Sequence, residues 1–257
     1  LVYRTEANRL GRRELQWMND FDASVVCAER ETLLLGPDAP RDRVHVIETG
    51  AVADADTPLS GKEPVALPDE PVVGFLGAMD YEPNVEAVCW FSRSIWPRVR
   101  RVRQDAEFLI VGRSPGIAVK RLTADPSIHV TGTVPAVDPY LEQMRVMVAP
   151  LRLARGLQTK VLTAMAAGLP CVVTSCVAEG IGAEAGSEIL VANSEQGIAD
   201  LVLSLVEDKA GGIAIGTAAR DFVARKYQAA ARLERLESRL QGGVGTPACA
   251  EMEGALS

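Results

Sequence analysis

Short runs of consecutive apolar, β-branched residues recur along this chain, and segments with helical spacing separate them. From residue 72 onward the rhythm is regular. Strands are predicted at 72–76, 107–111, 128–131, 146–149, 171–174 and 189–191. Helices are predicted between and after them, at 84–102, 117–123, 138–144, 159–167 and 195–207, and a further charged helix at 217–240. The run at 146–151 is continuously apolar and β-rich, as expected for a strand covered on both faces. Strands and helices alternating at this spacing imply right-handed βαβ units. The fold class is therefore α/β, with a doubly wound parallel sheet.

The front of the chain reads differently. Residues 4–20 are predicted as an amphipathic helix, with Leu10, Leu15, Trp17 and Met18 supplying its apolar side. Short strands are expected at 24–28 and 44–47, flanking a helix near 29–35. These elements hold too little core to stand alone. They read as the end of a preceding domain, or as a decoration packed on the later sheet. Residues 54–69 are rich in Pro, Asp, Gly and Ser without periodicity, which predicts a linker. Residues 242–257 are Gly-rich and small, which predicts a disordered tail.

Composition narrows the function classes. Of 257 residues, 47% are hydrophobic and 24% charged, as in ordinary globular proteins. A formal net charge of −7 gives no global pull toward nucleic acid. The local cluster Arg98, Arg100, Arg101 and Arg103 reads as a solvated helix end. No apolar run reaches the length a membrane span requires, and residues 1–20 are charged throughout, unlike a signal peptide. Five scattered cysteines (Cys27, Cys89, Cys171, Cys176, Cys249) suit a reducing cytoplasm. With only His45 and His129 available, they do not form a zinc pattern.

The segment 146–175 carries the strongest chemical signal. A strand runs into a basic, Gly-containing loop (Arg152, Arg155, Gly156), then a helix from Thr159 ended by Gly168 and Pro170, then the next strand. A cationic loop opening a helix at the carboxyl end of a parallel strand suits a phosphate-bearing ligand. Lys160 sits at the wrong end of its helix for the dipole, a placement that a bound anion would relieve. Other strand ends supply further candidates. Gly77 permits close backbone approach. Asn84 either caps the following helix or presents a donor to a phosphate. Arg113 is a candidate cation or a solvent-facing side chain. The turn after 131 either exposes backbone groups to a flat base or is an ordinary turn.

Taken together, Phe75, Gly77, Asp80, Pro83 and Asn84, then Ile110 and Gly112, Val130 and Gly132, the run Pro150, Arg152, Arg155, Gly156, Gln158, Lys160, Ala164, and finally Gly168, Pro170 and Glu179-Gly180-Ile181 carry a resemblance. They resemble retaining glycosyltransferases of the two-Rossmann GT-B fold (glycosyl transferases group 1, family 4), most nearly the branch associated with exopolysaccharide loci and exosortase sorting systems. The resemblance spans roughly residues 21–240. It implies a nucleotide-sugar donor domain at 70–241, preceded by a linker (54–69) and a remnant of the acceptor-side domain (1–53), so that the chain is a fragment. It implies Gly77 and Asn84 near the diphosphate, Lys160 as the main cation, Thr133 and Val134 beside the base, and Arg155, Gly156 and Gln158 facing phosphates or sugar. It implies no metal and no cofactor. The partners implied are a nucleotide-sugar donor and a glycan or lipid-linked acceptor. Peripheral membrane contact would come through the missing half, in the cytoplasm at the inner membrane face.

The chain departs from the family in places. Thr163 stands where relatives carry a Glu that binds the donor ribose, Arg155 where many carry a second Glu, Thr159 where the branch has Asn, and Thr49-Gly50-Ala51 where Asn-Gly-Val is usual. Loss of a carboxylate weakens a hydroxyl contact. A non-catalytic nucleotide-sugar-binding or scaffolding relative is the alternative. A nucleotide-sugar epimerase has little support, because two histidines and this loop offer few acid–base groups. No catalytic base is assigned, and retention rests on the resemblance alone.

Overall fold

The computed structural model describes residues 2–26, 29–46, 66–154 and 156–227, which fall into two units. The first holds helix α1 (Val2–Asp20), strand β1 (Ser24–Val26), the short helix α2 (Glu29–Thr32) and strand β2 (Val44–Val46). β1 and β2 pair in parallel, Ser24 opposite Val44. Leu10, Trp17 and Phe21 are exposed on this unit. The tail at 242–257, the 49–51 segment and the linker up to 65 lie outside the described residues.

The second unit is built on a six-stranded sheet. Its strands are β3 (Val72–Leu76), β4 (Glu107–Val111), β5 (Ile128–Val130), β6 (Val146–Ala149), β7 (Cys171–Val173) and β8 (Leu190–Val191). All neighbours are parallel, in the order β5-β4-β3-β6-β7-β8. The doubly wound parallel sheet expected from the sequence is thus what forms. The helices are α3 (Glu82–Trp90), α4 (Trp96–Val102), α5 (Ile117–Lys120), α6 (Asp138–Leu141), α7 (Thr159–Ala166), α8 (Ser175–Ile181), α9 (Glu195–Glu207) and α10 (Lys209–Lys226). β6 is buried along its whole length and β7 likewise, so continuous apolar runs were the right strand signal. An aromatic cluster anchors one face, with Phe91 and Phe108 rings 4.6 Å apart and Trp96 5.6 Å from Phe108. The buried Trp96 indole donates to Ser127, whose hydroxyl donates to Asp125.

Four expectations need correction. The helix read at 84–102 is two helices joined by a wider π turn at Phe91–Ile95. Pro97 has no N–H to give the preceding turn, and the backbone widens just before it. Helix α8 was not expected at all. It is short and carries Gly180, and Gly182 ends it at φ 69°. Helix α10 starts at Lys209 rather than 217, because Gly211, Gly212 and Gly216 disguise a helix that packs tightly. A Cβ on Gly216 would lie 2.0 Å from the Gly168 carbonyl oxygen. Finally, residues 66–69 of the segment read as linker are tied to the core. Leu67 is buried, the Pro68 carbonyl accepts from Arg145, and Asp69 pairs with Lys209.

The arginines at 98–103 are also not simply solvated. Arg98 pairs with Glu195, Arg103 with Asp105, and Arg100 donates to the Ala106 carbonyl.

Candidate functional site

The strand order reverses at β3. The chain runs outward through β4 and β5, then returns to the other side of β3 as β6. Loops leaving the carboxyl ends of β3 and β6 therefore diverge, and a parallel sheet places its ligand crevice there. Helices α3 and α7 follow these two strands, and each brings one side chain to the junction.

The β3 loop is built by close approach. Gly77 N–H donates to the Val111 carbonyl at 3.0 Å, and Met79 N–H to the Arg113 carbonyl at 2.8 Å. A Cβ on Gly112 would lie 1.7 Å from the Gly77 oxygen, and one on Gly77 would lie 2.7 Å from the Asn84 amide nitrogen. Asn84 does not cap α3, as one reading of the sequence had it. Tyr81 holds the cap position without a side-chain bond, and Asn84 lies inside the first turn, buried. Its amide nitrogen donates back to the Ala78 carbonyl at 2.9 Å. Its amide oxygen accepts from the ammonium of Lys160.

Lys160 is the second residue of α7. Its Nζ stands 5.0 Å from the Phe75 ring centre, over the aromatic face. Burial alone pulls its pKa from 10.5 down to about 8. A neutral amide and an aromatic face are weak company for a charge taken out of water.

The β6–α7 loop supplies the rest. Gly156 has φ 63°, a left-handed conformation that favours glycine. Its carbonyl packs so closely on α8 that a Cβ on Gly180 would come within 2.8 Å. Gln158 holds the cap position of α7 but does not cap it with its side chain. Thr163 sits one turn on, and its hydroxyl donates to the Thr159 carbonyl at 3.0 Å, so its proton is already committed. Arg155 lies outside the described residues. Arg152, expected within a basic phosphate-facing loop, pairs instead with Glu86 and lies 5.2 Å from the Trp90 ring centre.

The remaining candidates lie farther along the same carboxyl edge. Arg113 is exposed beyond β4. Thr133, exposed, and Val134, half-buried against the core, follow Gly132 (φ 73°) beyond β5, the outermost strand on that side. The structure thus brings Gly77, Asn84 and Lys160 together, and it sets Thr133 and Val134 two strands away. Sequence reasoning missed the supports: Glu86 and Trp90 under Arg152, and Gly180 under Gly156. Only Gly180 had a signal, within Glu179-Gly180-Ile181.

Among the described residues, no three His, Cys, Asp or Glu side chains gather as they would around a metal ion. Nor is any helix there long and apolar enough to cross a membrane.

None of the curated proteins matches the chain in sequence. Solved structures do match in fold. A mutant of S. aureus TarM, in complex with fondaparinux, α-GlcNAc-glycerol and UDP, superposes with a TM-score of 0.72 at 16% identity, over 86% of this chain and 44% of its own. Sucrose-phosphate synthase from Thermosynechococcus elongatus gives 0.71 at 17%, over 90% and 61%. Anabaena HepE with UDP and glucose gives 0.71 at 12%, over 90% and 66%. This chain therefore spans less than two-thirds of each. At such identities the likeness is one of fold, a Rossmann-like half of the GT-B architecture. The sequence model described as "Glycosyl transferases group 1" matches residues 70–208, more than half of the chain. The chain belongs to the glycosyl transferases group 1 family.

Proposed function

We propose that this chain carries the donor-binding half of a retaining, metal-independent glycosyltransferase. It transfers a hexosyl unit from a nucleotide-sugar donor to a polysaccharide or lipid-linked acceptor in cell-surface exopolysaccharide synthesis. The observation that carries this reading is the ammonium of Lys160, partly desolvated at the strand-order reversal with Asn84 and Phe75 as its partners. A diphosphate is the anion that chemistry of this kind needs. Negative charge grows on it as the glycosidic bond breaks, and a fixed cation stabilises that charge most where water is excluded. Gly77 lets the ligand approach the backbone, Arg155, Gly156 and Gln158 face phosphates or sugar, Thr133 and Val134 border the base, and Arg113 lies at the rim.

In this reading residues 1–53 are the end of an acceptor-side domain, 54–69 the crossing and 70–241 the donor domain. No catalytic base is assigned in this reading, and contact with the inner membrane face would come through the acceptor-side half. The run from Pro150 to Pro170 supports the family, and the exosortase-associated branch rests on the resemblance alone. UDP is the first nucleotide to test, since TarM and HepE have both been solved with it.

Titration calorimetry with UDP-, GDP- and ADP-sugars tests the proposal. Saturable heat with one of them is expected, and no heat with any of them would contradict it. One observation favours a second reading, a non-catalytic donor-binding relative: the Thr163 hydroxyl is already spent on its own helix. Donor binding without donor turnover in the full-length protein would select that reading.

A further inference from the structure

Helix α3 grips the β6–α7 loop at both ends. At the far end, Asn84 accepts from Lys160 on the first turn of α7. At the near end, Glu86 and Trp90, one turn apart and so on one face of α3, hold Arg152. The Glu86 carboxylate accepts from the Arg152 guanidinium, and that guanidinium lies 5.2 Å from the Trp90 ring centre. Trp90 is itself fixed from behind, its indole N–H donating to Glu195 at 3.2 Å, and Glu195 also accepts from Arg98 at 3.0 Å. Just before the near grip, the Leu151 carbonyl accepts from Thr174 and Cys176.

Resting on the donor-site reading, we propose that Glu86 is a positioning residue. It acts through Arg152 to hold the β6–α7 loop, and with it Gly156 and Lys160, in the shape that receives the diphosphate. Glu86 itself touches no phosphate in this scheme. The pair is partly exposed, with side chains 60% (Arg152) and 33% (Glu86) accessible, so it adds little to global stability. What it supplies is order in a loop that must otherwise be ordered when the ligand binds.

The test compares the present chain with Glu86→Gln, Arg152→Glu, and the charge swap Glu86→Arg with Arg152→Glu. Two quantities are read on each: amide hydrogen exchange across residues 150–160, and UDP affinity by calorimetry. The single variants are expected to speed exchange in that segment at unchanged Tm and to weaken UDP binding about three- to tenfold, the scale of ordering one or two side chains. The swap is expected to recover most of both effects, which a merely structural loss would not do. Unchanged exchange in Glu86→Gln, or faster exchange with unchanged UDP affinity, overturns the pairing while wild-type binding stands. Absence of UDP, GDP or ADP binding by the wild-type chain overturns the donor-site reading and this inference with it, and is seen without any variant.

Discussion

The ammonium of Lys160 on α7 donates to the amide oxygen of Asn84 on α3, joining the helices that follow the two strands where the sheet reverses its order. Asn84 is in turn fixed by its own bond to the Ala78 carbonyl, so the lysine is aimed before any ligand arrives.

Replacing Lys160 by Met separates binding from stability. The charge is held in a partly dry site against a neutral amide, so its removal leaves Tm unchanged or raises it slightly. Diphosphate binding should weaken by about 1.5–3 kcal/mol, the range of a charge-assisted hydrogen bond. Thermal melts and UDP calorimetry on the same preparation check both halves. A large fall in Tm would mean that the lysine is structural.

The pH dependence follows from the lowered pKa of Lys160. Below about pH 8 the lysine is charged in folded and unfolded chains alike, and its burial penalty is present in full. Between about 8 and 10.5 the unfolded chain keeps a proton that the folded chain has lost, so this group's contribution to stability rises with pH. The stability difference between wild type and Lys160→Met should shift in favour of wild type from pH 7 to pH 10 in urea titrations. A diphosphate needs the charged form, so binding at pH 8 should take up about half a proton. Calorimetry in buffers of different ionisation heat reads that uptake.

Thr163 offers two opposite substitutions. Thr163→Ala should change UDP affinity less than about threefold, because the hydroxyl proton is spent on Thr159 rather than offered to a ligand. Thr163→Glu should tighten donor binding by about 1–3 kcal/mol if the ribose lies beside it. Unchanged affinity in the Glu variant would show that Thr163 is not the weak point of the site.

Gly112→Ala should be among the most damaging small substitutions in this chain. Its Cβ would lie 1.7 Å from the Gly77 oxygen, which is backbone and cannot step aside. A loss of about 3 kcal/mol or more is expected, together with loss of UDP binding, since the same shift moves the β3 loop. Denaturant titration with a fluorescence readout checks it.

Arg145 was invisible to sequence reading, yet it is buried among the carbonyls of Pro68, Leu205 and Val206. Arg145→Met should cost about 2–4 kcal/mol by leaving those acceptors unpaired. Urea unfolding should show a lower midpoint, with UDP affinity retained by the folded fraction.

The sheet was legible because strands buried on both faces must be continuously apolar, and Val72–Leu76, Glu107–Val111 and Val146–Ala149 are nearly so. Lys160 was legible because a cation at a helix start conflicts with the dipole. What stayed hidden has a common cause. Gly180, Gly212 and Gly216 read locally as breakers, while their value lies in close packing against residues far away in sequence. The role of Asn84 depends on Lys160, 76 residues on, and that of Arg152 on Glu86, 66 residues earlier. No local pattern encodes such pairings. Arg152 read only as part of a basic loop for that reason.

The central claim is that a nucleoside diphosphate sits between the carboxyl ends of β3 and β6 against Lys160. A crystal structure of the chain grown with UDP tests it most directly. The account predicts diphosphate density between Gly77 and Gly156, with a phosphate oxygen within about 3 Å of the Lys160 ammonium. Density at another strand end, or a crevice filled by packed side chains with Lys160 turned to solvent, would contradict it.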